Sequence, residues 1–207
     1  MASGASKEYI TIIPVPTEAG THFPGQCKAP DALMQTGGLI EKLKSTGYKV
    51  DVYNGLLSDA EFNHAAPWTP SQRLKGVRNE TNALTVMNRI RAHLPLVLDR
   101  NAFTIILGGD CSITPAVLSS LESTIAKGQR FGLLYIDGDV DLTLPSQTDA
   151  DGSTAIMNSM CMTHLTGRHG GLESMHPFAR EDGRPLVDPS NVVLFGFDPL
   201  QPSHEHW

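Results

Sequence analysis

Three aspartates at alternating positions, Asp137, Asp139 and Asp141, close an apolar run from Phe131 to Ile136. Side chains alternate faces along a strand, so a strand that stays extended past Ile136 projects all three carboxylates to one side. Like charges a few ångströms apart repel unless they are solvated, partly protonated or neutralised by a cation. The pattern therefore reads either as a cation site or as a solvated acidic turn behind a buried strand. A second stretch, Gly108-Gly109-Asp110-Cys111-Ser112, follows the apolar run Phe103 to Leu107. It lacks the glycine spacing of nucleotide-binding loops, and Ser112 and Thr114 read as helix caps. Cys111 as a nucleophile would need a neighbouring base, and the sequence identifies none. His164, His169 and His176 match no metal-ligand spacing, and His204 and His206 beside Glu205 read as a surface tail.

Both distinctive stretches must sit at strand ends, and the elements around them follow from periodicity and turn residues. Tyr9 to Val15 reads as a buried strand, and Thr17 to Gly25 as a loop containing His22. A helix from Pro30 to Gly47 and a strand from Tyr48 to Tyr53 come next, then a loop from Asn54 to Trp68. Thr69-Pro70-Ser71-Gln72 fits a capping box opening a long helix to about His93, where Pro95 disturbs it. Phe103–Leu107 is the third strand; Thr114-Pro115 opens a helix that Gly128 closes; the Phe131–Ile136 run is the fourth strand. Ala155 to Leu165 reads as helical and Asn191 to Phe197 as a last strand. Strands alternating with helices predict an α/β fold with a parallel sheet, whose ligands bind outside the carboxyl ends of the strands.

Composition agrees with an ordinary globular chain. The 207 residues, 40% hydrophobic and 18% charged, suit one domain over residues 9–207 after a small polar, flexible segment 1–8. A net charge of -6 without basic clusters argues against nucleic acid or an anionic membrane surface. Three cysteines without framework spacing, and no signal-like or membrane-length apolar segment, predict a cytoplasmic protein.

Taken together, these stretches resemble the ureohydrolase superfamily of arginase, agmatinase and formiminoglutamase. That family carries Gly-Gly-Asp-His-Ser after its third strand and Asp-Ala-His-x-Asp after its fourth, at about the separation found here. The entry segment Ile13-Pro14-Val15-Pro16, a Gly-rich loop, Ala29-Pro30 and a helix containing Gly-Leu-Ile-Glu-Lys-Leu also fit. The resemblance runs from about Ile10 to Pro202. It implies an arginase-like three-layer fold, a parallel sheet with flanking helices, and a pair of manganese ions at the strand ends. It also implies hydrolysis of a guanidino or amidine C–N bond by metal-activated water.

The chain departs from the family pattern where that chemistry lives. Cys111 and Asp139 stand where the motifs carry histidine, and the substrate-loop region reads Gly152-Ser153-Thr154-Ala155. The family's later Asp-x-Asp pair has no counterpart before Trp207. The expected metal site is thus Asp137, Asp139, Asp141 and Cys111 around a divalent cation, manganese by resemblance, with a small guanidino or amidine substrate. The alternative is a non-catalytic family member serving as a binding or regulatory scaffold. In the family the last two strands lie between the third and the fourth; without them, direct pairing of strands three and four is expected, with homo-oligomerisation as another way to cover the edges.

Overall fold

The computed structural model describes residues 8–56, 65, 76–124, 128–148 and 155–197. The Thr69 capping box, most of the Asn54–Trp68 loop and the His204–His206 tail lie outside them.

Strand β1 (Tyr9–Val15) is the centre of a parallel sheet, flanked by β2 (Lys49–Val52) and β3 (Ala102–Gly108) in the order β2-β1-β3. Ile10, Ile12, Ile13 and Val15 are all buried, as a strand covered on both faces requires. Ile10, Ile12 and Leu107 pack against Met34, Leu39, Ile40 and Leu43. Ile13 and Val15 face helix α2 (Glu80–Val97) through Met87, Ile90 and Leu94. Helices thus cover both faces of the sheet, the three-layer arrangement expected from the sequence.

Between β1 and β2 the expected single helix is broken. Turns over Gln26–Lys28, Ala29–Asp31 and Ala32–Thr36 give way at Gly37-Gly38 to helix α1 (Leu39–Ser45). Gly37 sits so close to Leu33 that an added Cβ would meet its carbonyl oxygen at 2.7 Å, and Gly38 adopts φ +60. Either residue alone disfavours a continuous α-helix. In α2 the buried positions 83, 86, 87, 90 and 94 form one stripe. The helix outlasts the expected stop at His93 because Pro95 falls in its last turn, where few interior bonds remain to lose.

Helix α3 (Thr114–Ser123) leads to β4 (Leu133–Ile136), which pairs in parallel with β5 (Val192–Phe195). The expected pairing of the third and fourth strands does not form: β3 bonds to β1 along its whole length, and β4 bonds to β5 in a separate two-stranded sheet. Crossover helix α3 packs on α2 and carries the chain past the β3 edge, so β4 meets β5 instead. One face of this small sheet is covered by Cys161, Met162, Leu165, Leu186 and Val187. On the other face Leu134, Ile136, Val193 and Phe195 stay 59–68% exposed. Helix α4 (Cys161–Leu165) follows a 3-10 turn, Asn158–Met160. The helix expected from Ala155 starts later because Ala155 itself has φ +54, outside the right-handed helical region.

Candidate functional site at the strand ends

The ends of β1, β3 and β4 come together through backbone approaches that only glycine permits. Gly109 donates to Val15 O at 3.2 Å, and a Cβ on it would stand 1.7 Å from Thr17 O. Asp110 then ties the layer. Its Oδ2 accepts from Gly20 N at 3.1 Å, and its Oδ1 accepts from Ser112 N at 2.9 Å, capping the turn into α3. Burial pushes the Asp110 carboxyl up in pKa, against these hydrogen bonds. Glu18 works alike in the loop after β1, where its Oε2 accepts from Gly25 N at 2.6 Å and Cys27 N at 3.4 Å. Both acids are buried struts that sequence reasoning passed over, although buried acids near turn glycines commonly serve this purpose.

The aspartates after β4 do not continue the strand. Asp137 N makes the last ladder bond, to Phe195 O at 3.0 Å, and the chain then turns. Asp137 Oδ1 accepts from Asp139 N at 3.2 Å, and Asp139 Oδ1 from Val140 N at 3.1 Å. Asp141 follows with φ +49 and is buried, while Asp137 and Asp139 are half-buried. The expected one-sided row of carboxylates is therefore replaced by an aspartate-stabilised turn that sends only Asp141 into the interior.

There Asp141 is a hydrogen-bond hub. Its Oδ2 accepts from the Tyr135 hydroxyl at 2.5 Å and from Cys111 Sγ at 3.4 Å. Cys111 Sγ also lies 3.6 Å from Asn158 O, and Cys161 Sγ 3.4 Å from Cys111 O. The Asp141 carbonyl accepts from Met162 N at 2.9 Å and Thr163 N at 3.3 Å, fixing the start of α4. Burial raises the Asp141 carboxyl to about 6; the Tyr135 and Cys111 bonds pull it down, and the Asp137 and Asp139 charges push it up. Burial and then neighbouring negative charge hold the Tyr135 hydroxyl and the Cys111 and Cys161 thiols well above their ordinary values. The donors thus keep their protons, and one carboxylate accepts from two of them.

The sequence expectation put Asp137, Asp139, Asp141 and Cys111 around a divalent cation. The structure brings Cys111 and Asp141 into contact and sets the other two carboxylates close enough to act on Asp141 electrostatically. Among the described residues no three His, Cys, Asp or Glu side chains converge as a group able to hold a metal ion. A protonated thiol is a poor ligand for a hard cation, and Asp141 Oδ2 already accepts two hydrogen bonds. As these side chains stand, the donor set does not fit a manganese pair.

Comparison with known proteins places this arrangement. Arginase from Staphylococcus aureus (strain COL) is 26% identical over 191 residues, covering 92% of this chain and 57% of that protein. Arginase from Bacillus caldovelox is 27% identical over 190 residues, covering 90% of this chain and 57% of that protein. The crystal structure of arginase from Bacillus subtilis superposes with a TM-score of 0.69 at 22% identity, covering 92% of this chain and 56% of that one. The native structure of Bacillus caldovelox arginase gives 0.68 at 25% identity, covering 93% and 60%. This chain therefore spans a little over half the length of those relatives. The arginase family model matches residues 8–206, and the chain belongs to the arginase family.

Proposed function

We propose that the strand-end site of this chain is a hydrogen-bonded core on an arginase-family scaffold, and that the chain serves in binding or regulation without hydrolytic chemistry of its own. One observation carries this reading: Asp141 Oδ2, the most buried carboxylate of the site, accepts from both Tyr135 and Cys111. A buried acid with two protonated donors is electrostatically satisfied without a cation. The test is metal content by mass spectrometry together with urea and ammonia release from arginine, agmatine and other guanidino compounds. Sub-stoichiometric metal and no release support the scaffold reading. Stoichiometric metal with turnover overturns it.

The second reading is hydrolysis of a guanidino or amidine C–N bond, with Asp137, Asp139, Asp141 and Cys111 around one divalent ion, manganese by family. Family membership and the meeting of the β3 and β4 ends support it. The exposed apolar face of β4 and β5 favours self-association in either case. Cys27, Cys111 and Cys161 are all free, which suits the reducing cytoplasm.

A further inference from the structure

A cavity of about 380 Å³ opens between the start of α3, helix α4, the glycine-rich loop after it and the 3-10 turn Glu173–Phe178. Its size falls in the ~300–1,000 Å³ range of small-molecule sites. His164, Arg168, His169, Glu173 and His176 supply its polar wall; Pro115, Met175, Phe178 and Leu186 supply apolar lining. Sequence spacing gave the three histidines no role, and they do not form a metal-binding group. What they surround has a different character.

The His164 ring is held by the loop that closes over it. A Cβ on Gly171 would stand 3.2 Å from His164 Nδ1 and 3.3 Å from its Cε1, so a side chain there would crowd the imidazole. His164 Nε2 is buried and has no hydrogen-bond partner among the described residues. Buried polar atoms are nearly always paired, so an orphan on a cavity wall marks a place for a polar atom of something bound. Burial lowers His164 to about 4, so its ring is neutral near pH 7 and offers one donor and one acceptor. Arg168 is anchored from within: its Nη1 donates to Leu142 O, and its backbone N donates to Thr163 O at 2.9 Å. A guanidinium has five N–H donors in a fork suited to a carboxylate. Glu173 and the exposed His169 and His176 sit at the rim, where the Glu173 charge opposes a second negative charge on an occupant.

We propose that this cavity binds a small organic monoacid. Its carboxylate sits on Arg168, its apolar body against Met175, Phe178 and Leu186, and a hydroxyl or carbonyl on His164. Arg168 supplies the charge, the rim acid limits the ligand to one, and the orphan imidazole demands the second polar group. This site is separate from the aspartates after β4 and goes beyond the proposed function.

The test titrates the full chain with 4-hydroxybenzoate, benzoate and 4-hydroxybenzamide, reading calorimetry and the imidazole resonances of His164. Saturable binding of 4-hydroxybenzoate that shifts His164 is expected. The amide should bind at least about tenfold more weakly, and so should the acid to Arg168→Gln, since a charge-assisted pair is lost. Benzoate should bind several-fold more weakly than the hydroxy acid, a difference that His164→Leu removes. Because Arg168→Gln also breaks the Leu142 bond, rim variant Glu173→Gln provides a second readout and should tighten binding about twofold. No saturable His164 shift at millimolar acid would overturn the proposal. So would binding equal for acid and amide, or an unchanged affinity in Glu173→Gln.

Discussion

Replacing Asp141 by asparagine should make the protein markedly more acid-sensitive, and the sign distinguishes a hydrogen-bonded acid from a metal ligand. In the folded chain the Asp141 carboxyl titrates at about 6, above its ordinary value of 3.8. A group whose pKa is raised by folding takes up its proton first in the native state. Its contribution to stability therefore grows as pH falls from about 7 toward 3.8, reaching about 2 kcal/mol at pH 4. His164 works in the opposite direction. It titrates at about 4 in the fold against 6.5 ordinarily, so the unfolded chain takes up its proton first. That contribution is lost as pH falls through 6.5 toward 4, a change of about 2–3 kcal/mol. In the wild type the two nearly cancel. Asp141→Asn removes the compensating part, so the stability gap between variant and wild type should widen by about 2 kcal/mol between pH 7 and pH 4. Urea unfolding at pH 7, 6, 5 and 4 measures this directly, and His164→Leu should shift the profile the other way. A cation on Asp141 would lower its pKa, and the gap would then narrow on acidification. A narrowing gap refutes the reasoning.

Three further outcomes follow from the same geometry. Tyr135→Phe should cost about 1.5–3 kcal/mol in urea unfolding at pH 7, because it deletes a buried hydrogen bond to a charged acceptor. Gly109→Ala should lose more than about 3 kcal/mol or fail to fold, since its Cβ would overlap the Thr17 carbonyl at 1.7 Å; soluble yield and circular dichroism report it. Ile136→Thr with Phe195→Thr should change monomer stability by no more than about 1 kcal/mol, because both side chains are already exposed, while lowering self-association in light scattering.

The layers of the fold were legible because their signals are local. Alternating apolar runs, proline at helix starts and glycine at helix ends located β1, β3, α3 and β4, and the motif order identified the family. The breaks were less visible. Gly37-Gly38 splits the first helical segment through one close approach and one left-handed residue, and either glycine also fits an ordinary helix end. Pairing of β4 with β5, and not with β3, depends on where α3 delivers the chain, a tertiary fact without a local sequence mark. At the site, Asp141 and Cys111 were expected as neighbours and stand 3.4 Å apart. Tyr135 was read only as an apolar strand residue, so its hydroxyl was overlooked as the closest donor to Asp141. Alternation also misplaced Asp137 and Asp139, because aspartate side chains bonding their own turn compete with the extended strand.

The central claim is that Asp141 is committed to Tyr135 and Cys111 and not to a cation. Calorimetric titration of the purified full chain with manganese, followed by assay for urea from arginine and agmatine, tests it most directly. The account predicts no saturable manganese binding that depends on Asp141 and no urea. One or two manganese ions per chain, lost in Asp141→Asn and accompanied by urea release, would contradict it.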